Sequence, residues 1–467
     1  MKKRMLSLLM AALLLLSCAF AEEAGNTPLM PYFDCFAVPL GDNAIFEIPI
    51  EWGYQTSDAA DLPPTTSLLT DQNQMVMAMK LPADWEATDA SDALGIQPFM
   101  VEGTALMLGL TTPQSTRLQE MTINDMPAVL VSMNGQGFDI LWVGDSGDLY
   151  FFLFPNDDDA LVQQMISVAQ SLCVFHRKGE QVNPASDFAY TADGGEVTIT
   201  DYIGTSEHVL IPDTIDGLPV TALADKAFYE KHVTTVVVPD SVTEIGDLCF
   251  SGDNYLVSLT LPDELAELSY AALESCFRLM DFDLPQGLKK ISGSALQYNY
   301  YLTHLTLPSS LTEIEQLNFI GLYGLQSLTL AEDNAAFKLD ETNGLLMTAD
   351  GTRLLHCFSD IVPAEEIILT EGLKTVDPFA FHYDYDVKRI VLPEGVETIG
   401  AMAFAMCPNL TEIVIPASVT DIGVMDGLEG RTGIISYKRN VIVTPEGCPA
   451  WNWAVETGAT VKSPEED

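Results

Sequence analysis

Apolar residues in the second half of the chain recur at a fixed period. The segments Val236–Pro239, Leu259–Pro262, Phe282–Pro285 and Leu305–Pro308 end on prolines 23 residues apart. Ala331 takes the next proline position, and after an interruption the series resumes at Thr370, Pro393 and Pro416; Pro212 stands one unit before Pro239. Other positions keep step. Val242, Leu265, Leu288, Leu311, Leu373, Val396 and Val419 come three residues later, and Ile245, Leu268, Ile291, Ile314, Val376, Ile399 and Ile422 six later. Small–aromatic pairs follow, as in Ala227-Phe228, Ala380-Phe381 and Ala403-Phe404, and Leu256, Leu279, Leu302, Leu325, Val387 and Leu410 close the unit. Self-similarity at this period predicts a solenoid. One unit has too few apolar side chains to offset the ordering of its backbone, whereas stacked units bury them against each other and pair their short strands. Proline at the end of each strand stops it without needing a ladder donor.

Side chains alternate along a strand. Residues one and three before each proline position are apolar and point inward, so those two and four before it face outward. The nearer outward column reads Val237, Thr260, Asp283, Thr306, Thr329, Ile368, Val391 and Val414; the farther reads Thr235, Ser258, Asp281, His304, Ser327, Glu366, Arg389 and Glu412. These columns are the candidate ligand face, with His304, Arg389 and the run Ile368, Val391, Val414 its distinctive features. β-branched residues also suit strands for their own sake.

Residues 25–180 lack the repeat. Alternation predicts strands at Ala44–Ile50, Met75–Leu81, Ala105–Leu110, Ala128–Met133, Phe138–Val143 and Leu149–Phe154, then a helix over Asp158–Leu172 with Leu161, Met165, Val168 and Leu172 on one side. This reads as a separate α+β domain, one antiparallel sheet crossed by a helix. The polar stretch 181–186 is the linker.

The consensus L-x-L-P-x-x-L-x-x-I-x-x-x-A-F resembles the BspA-like leucine-rich repeat of bacterial surface proteins, over about residues 185–460. Gly194–Gly204, followed by Ile211-Pro212 and Gly217–Thr221, resembles that family's opening segment. Asn343–Leu355 resembles the hairpin its arrays carry, with Asp350-Gly351 as the turn (hairpin near 343–356). The last repeat departs from the pattern after Ile422, and Trp451–Gly458 reads as a capping helix with a glycine stop. The expected fold is therefore an α+β N-terminal domain followed by a leucine-rich-repeat solenoid of short parallel strands over 187–460. The resemblance implies adhesion or recognition at a surface. In the first domain, Phe46–Trp52, the central strands and the closing helix resemble PsbP-like domains, a resemblance that assigns no residue a role.

Composition fixes the setting. Apolar residues make up 48% against 19% charged, which supports a folded core. The 67 Asp and Glu outnumber 21 Lys and Arg, for a net charge of -46, so nucleic acid and anionic lipid are excluded as partners. Lys2, Lys3 and Arg4 ahead of the apolar stretch Met5–Leu16 form a secretory leader over 1–21, cut after Ala19-Phe20-Ala21. A second reading is a lipobox, Leu15-Leu16-Ser17-Cys18, that would lipidate Cys18; Leu16 is less usual there, which favours plain cleavage. No later segment is apolar enough to span a membrane. In an oxidising compartment Cys35 and Cys173 are a candidate disulfide closing a long loop. The remaining cysteines show no zinc-like spacing.

Catalytic patterns fail on inspection. Gly144-Asp145-Ser146-Gly147 resembles the serine segment of chymotrypsin-like proteases, but that family's histidine precedes its serine and the first histidine here is His176. The stretch reads as a hairpin turn. Asp157–Asp159 lacks the glycine and later glutamate of a calcium loop and suits a helix start instead. No HExxH, phosphate loop, dinucleotide fingerprint or GxSxG is present. The expectation is a non-enzymatic secreted or cell-surface recognition scaffold without cofactor or metal, binding an extracellular protein or glycan through the repeat sheet. Two alternatives stand beside it: an N-terminal ligand or enzyme module with the repeats as spacer, and a structural envelope component.

Overall fold

The computed structural model describes residues 35–39, 44–49, 53–57, 65–69, 75–80, 116–123, 126–133, 138–144, 149–155, 159–170, 172–174 and 182–464, the last without 359–360, 425–432 and 436–439. The leader with Cys18, the expected strand at 105–110 and residues 145–148 lie outside them. The chain forms two compact units, Met1–Gln181 and Val182–Asp467.

The first unit contains strands β1 (Cys35–Pro39), β2 (Ala44–Pro49), β3 (Gly53–Ser57), β4 (Thr65–Leu69), β5 (Met75–Lys80), β6 (Thr116–Ile123), β7 (Met126–Met133), β8 (Phe138–Gly144) and β9 (Leu149–Pro155), then α1 (Asp159–Gln170) and β10 (Cys173–Val174). Seven strands make one antiparallel sheet in the order β3-β4-β5-β9-β8-β7-β6. Registers such as Leu68↔Val76, Ala78↔Phe152, Phe152↔Leu141 and Leu141↔Leu130 put these buried residues on one face. From α1, Leu161, Met165 and Val168 are buried, as the helical spacing requires. Gly144 pairs with Leu149, the register of a β8–β9 hairpin.

Two expectations need correction. The unit has a second antiparallel sheet, β1-β2-β10, not one sheet alone. That sheet also separates the candidate disulfide. Cys35 pairs with Pro49 on one side of β2, and Cys173 pairs with Ile45 on the other. Two inter-strand spacings and four residues along the strand place their Cα atoms about 16 Å apart. A disulfide needs less than about 7 Å.

The second unit is a solenoid. Its first ladder runs in parallel register through His208, Thr235, Ser258 and Asp281, then His304 and Ser327, then Glu366, Arg389, Glu412, Val441 and Thr460. A second ladder, not foreseen as strands, joins residues six past the proline positions to one another, with Leu223 and the hairpin's Leu354 as added members: Leu223↔Ile245, Leu268↔Ile291↔Ile314 and Leu354↔Val376↔Ile399↔Ile422. A third side is held by single backbone bonds between rungs, as from Phe228 N to Cys249 O at 2.8 Å and Phe381 N to Ala403 O at 2.8 Å. Each rung bends on left-handed residues, which recur at the repeat spacing as Leu248, Ala271, Ser294 and Leu317, and as Gly252, Ser275, Tyr298 and Gly321. Glycine is needed at 321, where a Cβ would stand 2.9 Å from the Tyr298 Cα.

Both ends are closed. The hairpin of Phe188–Asp193 and Glu196–Tyr202 turns on Gly194-Gly195 and buries Phe188, Val197, Ile199 and Tyr202 at the first end. At the other, α2 (Pro449–Thr457) buries Ala450, Trp453 and Ala454 and stops at left-handed Gly458. The array continues past its apparent decay at Ile422, since Val441–Val443 and Thr460–Lys462 add two more first-ladder strands. The inserted hairpin, Leu345–Thr348 with Arg353–Cys357, turns at Asp350-Gly351 and pairs outward with Phe337–Asp340. It is buried on both faces. Leu346, Leu355 and Phe358 join the core of the preceding rungs, whereas Leu345, Met347, Leu354 and Cys357 join that of the following ones. The interior is thus two cores divided by a septum, where sequence periodicity predicts one.

Candidate functional site

The first ladder presents the outward columns, and burial sorts them. Thr260, Asp283, His304, Thr306, Thr329, Glu366 and Ile368 are exposed, while Val237, Ser327, Arg389, Val391, Glu412 and Val414 are half-buried. Ser258 is 2% exposed and Thr235 4%, so neither offers a side chain to a ligand. Each is short and stands in a ladder between neighbours one strand spacing away, which removes it from solvent. Thr235 Oγ1 is also within 2.9 Å of His208 Nδ1. Asp281 keeps its ladder register, but its side chain lies outside the described residues.

The face has two chemistries. Upstream of the hairpin it is polar: Thr306 and Thr329 share a hydroxyl hydrogen bond of 2.9 Å, and His304 Nδ1 stands 2.8 Å from Thr303 Oγ1. Downstream, Ile368, Val391 and Val414 form an apolar column, and Ile368 is 60% exposed. Beside it runs a chain of charge. Arg389 donates through one terminal amine to Glu366 and through Nε to Glu412 at 2.7 Å, while Lys462 reaches Glu412 Oε2 at 3.1 Å. The Arg389 hydrogen bond holds the Glu412 carboxyl below the usual carboxylate range. Arg389 is therefore spent between two carboxylates, and its role is to join three rungs.

A polar column inside the solenoid escaped the sequence reading. Fourteen residues past the proline positions stand Asp253, Cys276, Asn299, Asp384 and Cys407, all buried. Asn299 Nδ2 donates to Leu273 O at 3.1 Å, Cys276 Sγ to Phe250 O at 3.1 Å and Cys407 Sγ to Phe381 O at 2.7 Å, each in the preceding rung. The signal was present in the spacing, but it joins residues of unlike type, which composition does not group. Burial pushes the Cys249 thiol up to about 12 and raises those of Cys276 and Cys407, so these sulfurs are packing atoms, those of Cys276 and Cys407 also donors, and not nucleophiles.

A row of rings lines the loops before the first ladder. Phe277 stacks on Tyr300 at 4.8 Å, and Tyr300 on Tyr323 at 5.5 Å. Their faces meet one another along the solenoid axis and are not presented outward. Among the described residues no group of three metal-ligating side chains converges, and no helix is long and apolar enough to cross a membrane.

Residues 221–340 and 355–425 match the BspA type leucine rich repeat region, in 6 copies. Among solved structures, a leucine rich cell surface protein of Faecalibacterium prausnitzii is 19% identical, covering 59% of this chain and 97% of its own, with a TM-score of 0.35. The pneumococcal vaccine antigen PcpA is 16% identical over 61% of this chain and 99% of its own, with a TM-score of 0.40. PsbP of the cyanobacterium Synechocystis is 14% identical over 32% of this chain and 98% of its own, with a TM-score of 0.25. No curated protein matches the chain.

Proposed function

We propose, from the match of residues 221–340 and 355–425 to the BspA type leucine rich repeat region, that this protein is an exported recognition scaffold that binds another protein across its first ladder. The carrying observation is the column Ile368, Val391, Val414, three branched side chains on consecutive rungs with Ile368 60% exposed. Exposed Ile368 with the half-buried Val391 and Val414 on a rigid ladder supplies an apolar centre, and the neighbouring Glu366–Arg389–Glu412–Lys462 chain supplies a polar rim, the arrangement of a protein–protein contact. Rigid strands keep the side chains in place, so little order is lost on binding. A surface or secreted location agrees with the leader read at residues 1–21. Recognition suits this face because Arg389, its guanidinium group, is already bound to Glu366 and Glu412 and serves to order the rim.

The test is a binding screen of the mature chain against extracellular-matrix proteins and polysaccharides. It compares the natural protein with an Ile368→Asp/Val391→Thr variant whose circular dichroism and melting are unchanged. A protein bound by the natural chain and at least about tenfold more weakly by the variant supports the reading. Equal affinity for both, or binding to polysaccharide alone, removes it.

A further inference from the structure

Three ladders join successive rungs; the first also lapses between Asp281–Phe282 and His304–Leu307 and the second between Glu244–Ile245 and Glu267–Leu268, but among the described residues all three stop together at one plane. The first-ladder sheet ends with Ser327–Leu330 and begins again at Glu366–Ile368. In the second ladder, one sheet ends with Glu313–Ile314, and another starts in the inserted hairpin before continuing to Thr375–Val376. On the third side, Tyr298 N donates to Ile320 O at 2.8 Å, and the next such bond runs from Cys357 N to Ala380 O at 2.7 Å. The hairpin's near face, with Leu346, Leu355 and Phe358, shares one core with Phe319, Leu322 and Leu325 of the preceding rungs, so across this plane side-chain packing continues where strand pairing stops.

Rings fill the join. Phe319 lies 5.8 Å from the His356 ring and 5.3 Å from Phe358, and Tyr323 meets Tyr383 edge-on at 5.5 Å. Two clefts flank His356, one lined by Phe319, Phe358 and His382, the other by Glu315, Asp377 and Pro378. Each has room for about one water molecule. Packed rings without strand pairing open more readily than rungs joined by continuous ladders.

We propose that this plane is a hinge: residues 182–330 and 337–464 form two stacks that part at the contact of Phe319 and Tyr323 with His356, Phe358 and Tyr383. Opening turns the polar half of the ladder face relative to its apolar half, so a partner spanning both reads one setting of the hinge. The hinge rests on the coincident ladder breaks and goes beyond the ligand-face reading, from which it is independent.

Acid drives the opening. Burial pushes His356 down to about 3, helped by the neighbouring His382, and pushes His382 itself down to about 4. The groups facing these imidazoles are Glu315, Asp377, Tyr323, Tyr383, Cys357 and the Phe379 carbonyl. Closed, the rings stay neutral; hydrated, they take a proton below about pH 6.5. The closed state is fully favoured above that pH, and loses ground as pH falls from about 6.5 toward the depressed values.

Hydrogen exchange on the full chain tests this at pH 6.5 and 4.5, with rates normalised to the intrinsic chemical rate. Peptides covering 315–325 and 353–358 should exchange faster at both pH values than their counterparts at 269–279 and 292–302. From pH 6.5 to 4.5 the normalised rate at the join should rise about fortyfold to fiftyfold for each imidazole hydrated. His356→Phe keeps the ring and should remove that residue's share of the rise. Protection at the join equal to that of the counterpart peptides, at both pH values, would overturn the hinge. The map of the natural chain decides this alone if the variant does not fold.

Discussion

Asp253 is a carboxylate with no exposed surface, held by Val233 N on Oδ2 at 3.0 Å and Tyr255 N on Oδ1 at 3.2 Å. Two amide donors favour its charge, but burial outweighs them and raises its pKa to about 6. The unfolded chain titrates near 3.9, so between about pH 4 and 6 the folded protein holds the extra proton. Stability is then full below about pH 4 and declines as pH rises through 6, by at most about 3 kcal/mol. Asn299 occupies the same step two rungs on, which shows that an amide is accommodated there. Asp253→Asn should flatten this part of the profile. The check is urea unfolding of both proteins from pH 4 to 6.5, with their difference as the readout. A constant difference across that range would mean that Asp253 does not titrate in it.

At the scale of elements, the inserted hairpin is clamped to the rung after it. Arg353 donates from Nε to Asp377 Oδ1 and from a terminal amine to Oδ2, both at 2.7 Å, and Asp377 is 4% exposed. Bidentate geometry makes the pair strong, and removal of the cation would leave a buried carboxylate. Arg353→Ala should cost roughly 3–5 kcal/mol at pH 7, and should recover on acidification as Asp377 protonates. Thermal melts at pH 7 and 4 measure this, and a variant equally stable at both would assign the pair no such role. The hairpin also marks where sequence stops being informative. Its turn is written in Asp350-Gly351, whose carboxylate accepts from Thr352 N at 3.0 Å. The use of its two faces is not, because Leu345, Leu346, Leu354 and Leu355 are alike and only three-dimensional stacking assigns them to separate cores. The strand columns were legible for a similar reason. Alternation fixes which way a side chain leaves the backbone, yet nothing local reveals that Ser258 is covered or that Arg389 has two carboxylates within reach. The three-stranded sheet beside α1 escaped because β10 is two residues long, too short for a period.

Over the whole molecule, charge works against the fold. With 67 acidic and 21 basic side chains, repulsion opposes compaction wherever carboxylates are unpaired. Several of the cations are committed between rungs: Lys290 to Glu267 and Glu315, Lys374 to Glu397 at 2.8 Å, Lys388 to Glu365 and Arg389 to Glu366 and Glu412. Exposed pairs of this kind contribute about 0–1 kcal/mol each and weaken in salt. The unscreened repulsion is longer in range, since the Debye length shrinks from about 30 Å at 0.01 M to about 8 Å at 0.15 M. Screening therefore removes more repulsion than attraction, and the melting temperature should rise with sodium chloride over that range. Calorimetry or dichroism melts at constant pH follow the trend. A melting temperature that falls as salt is added would show that the inter-rung pairs, and not the net charge, dominate the electrostatics of the array.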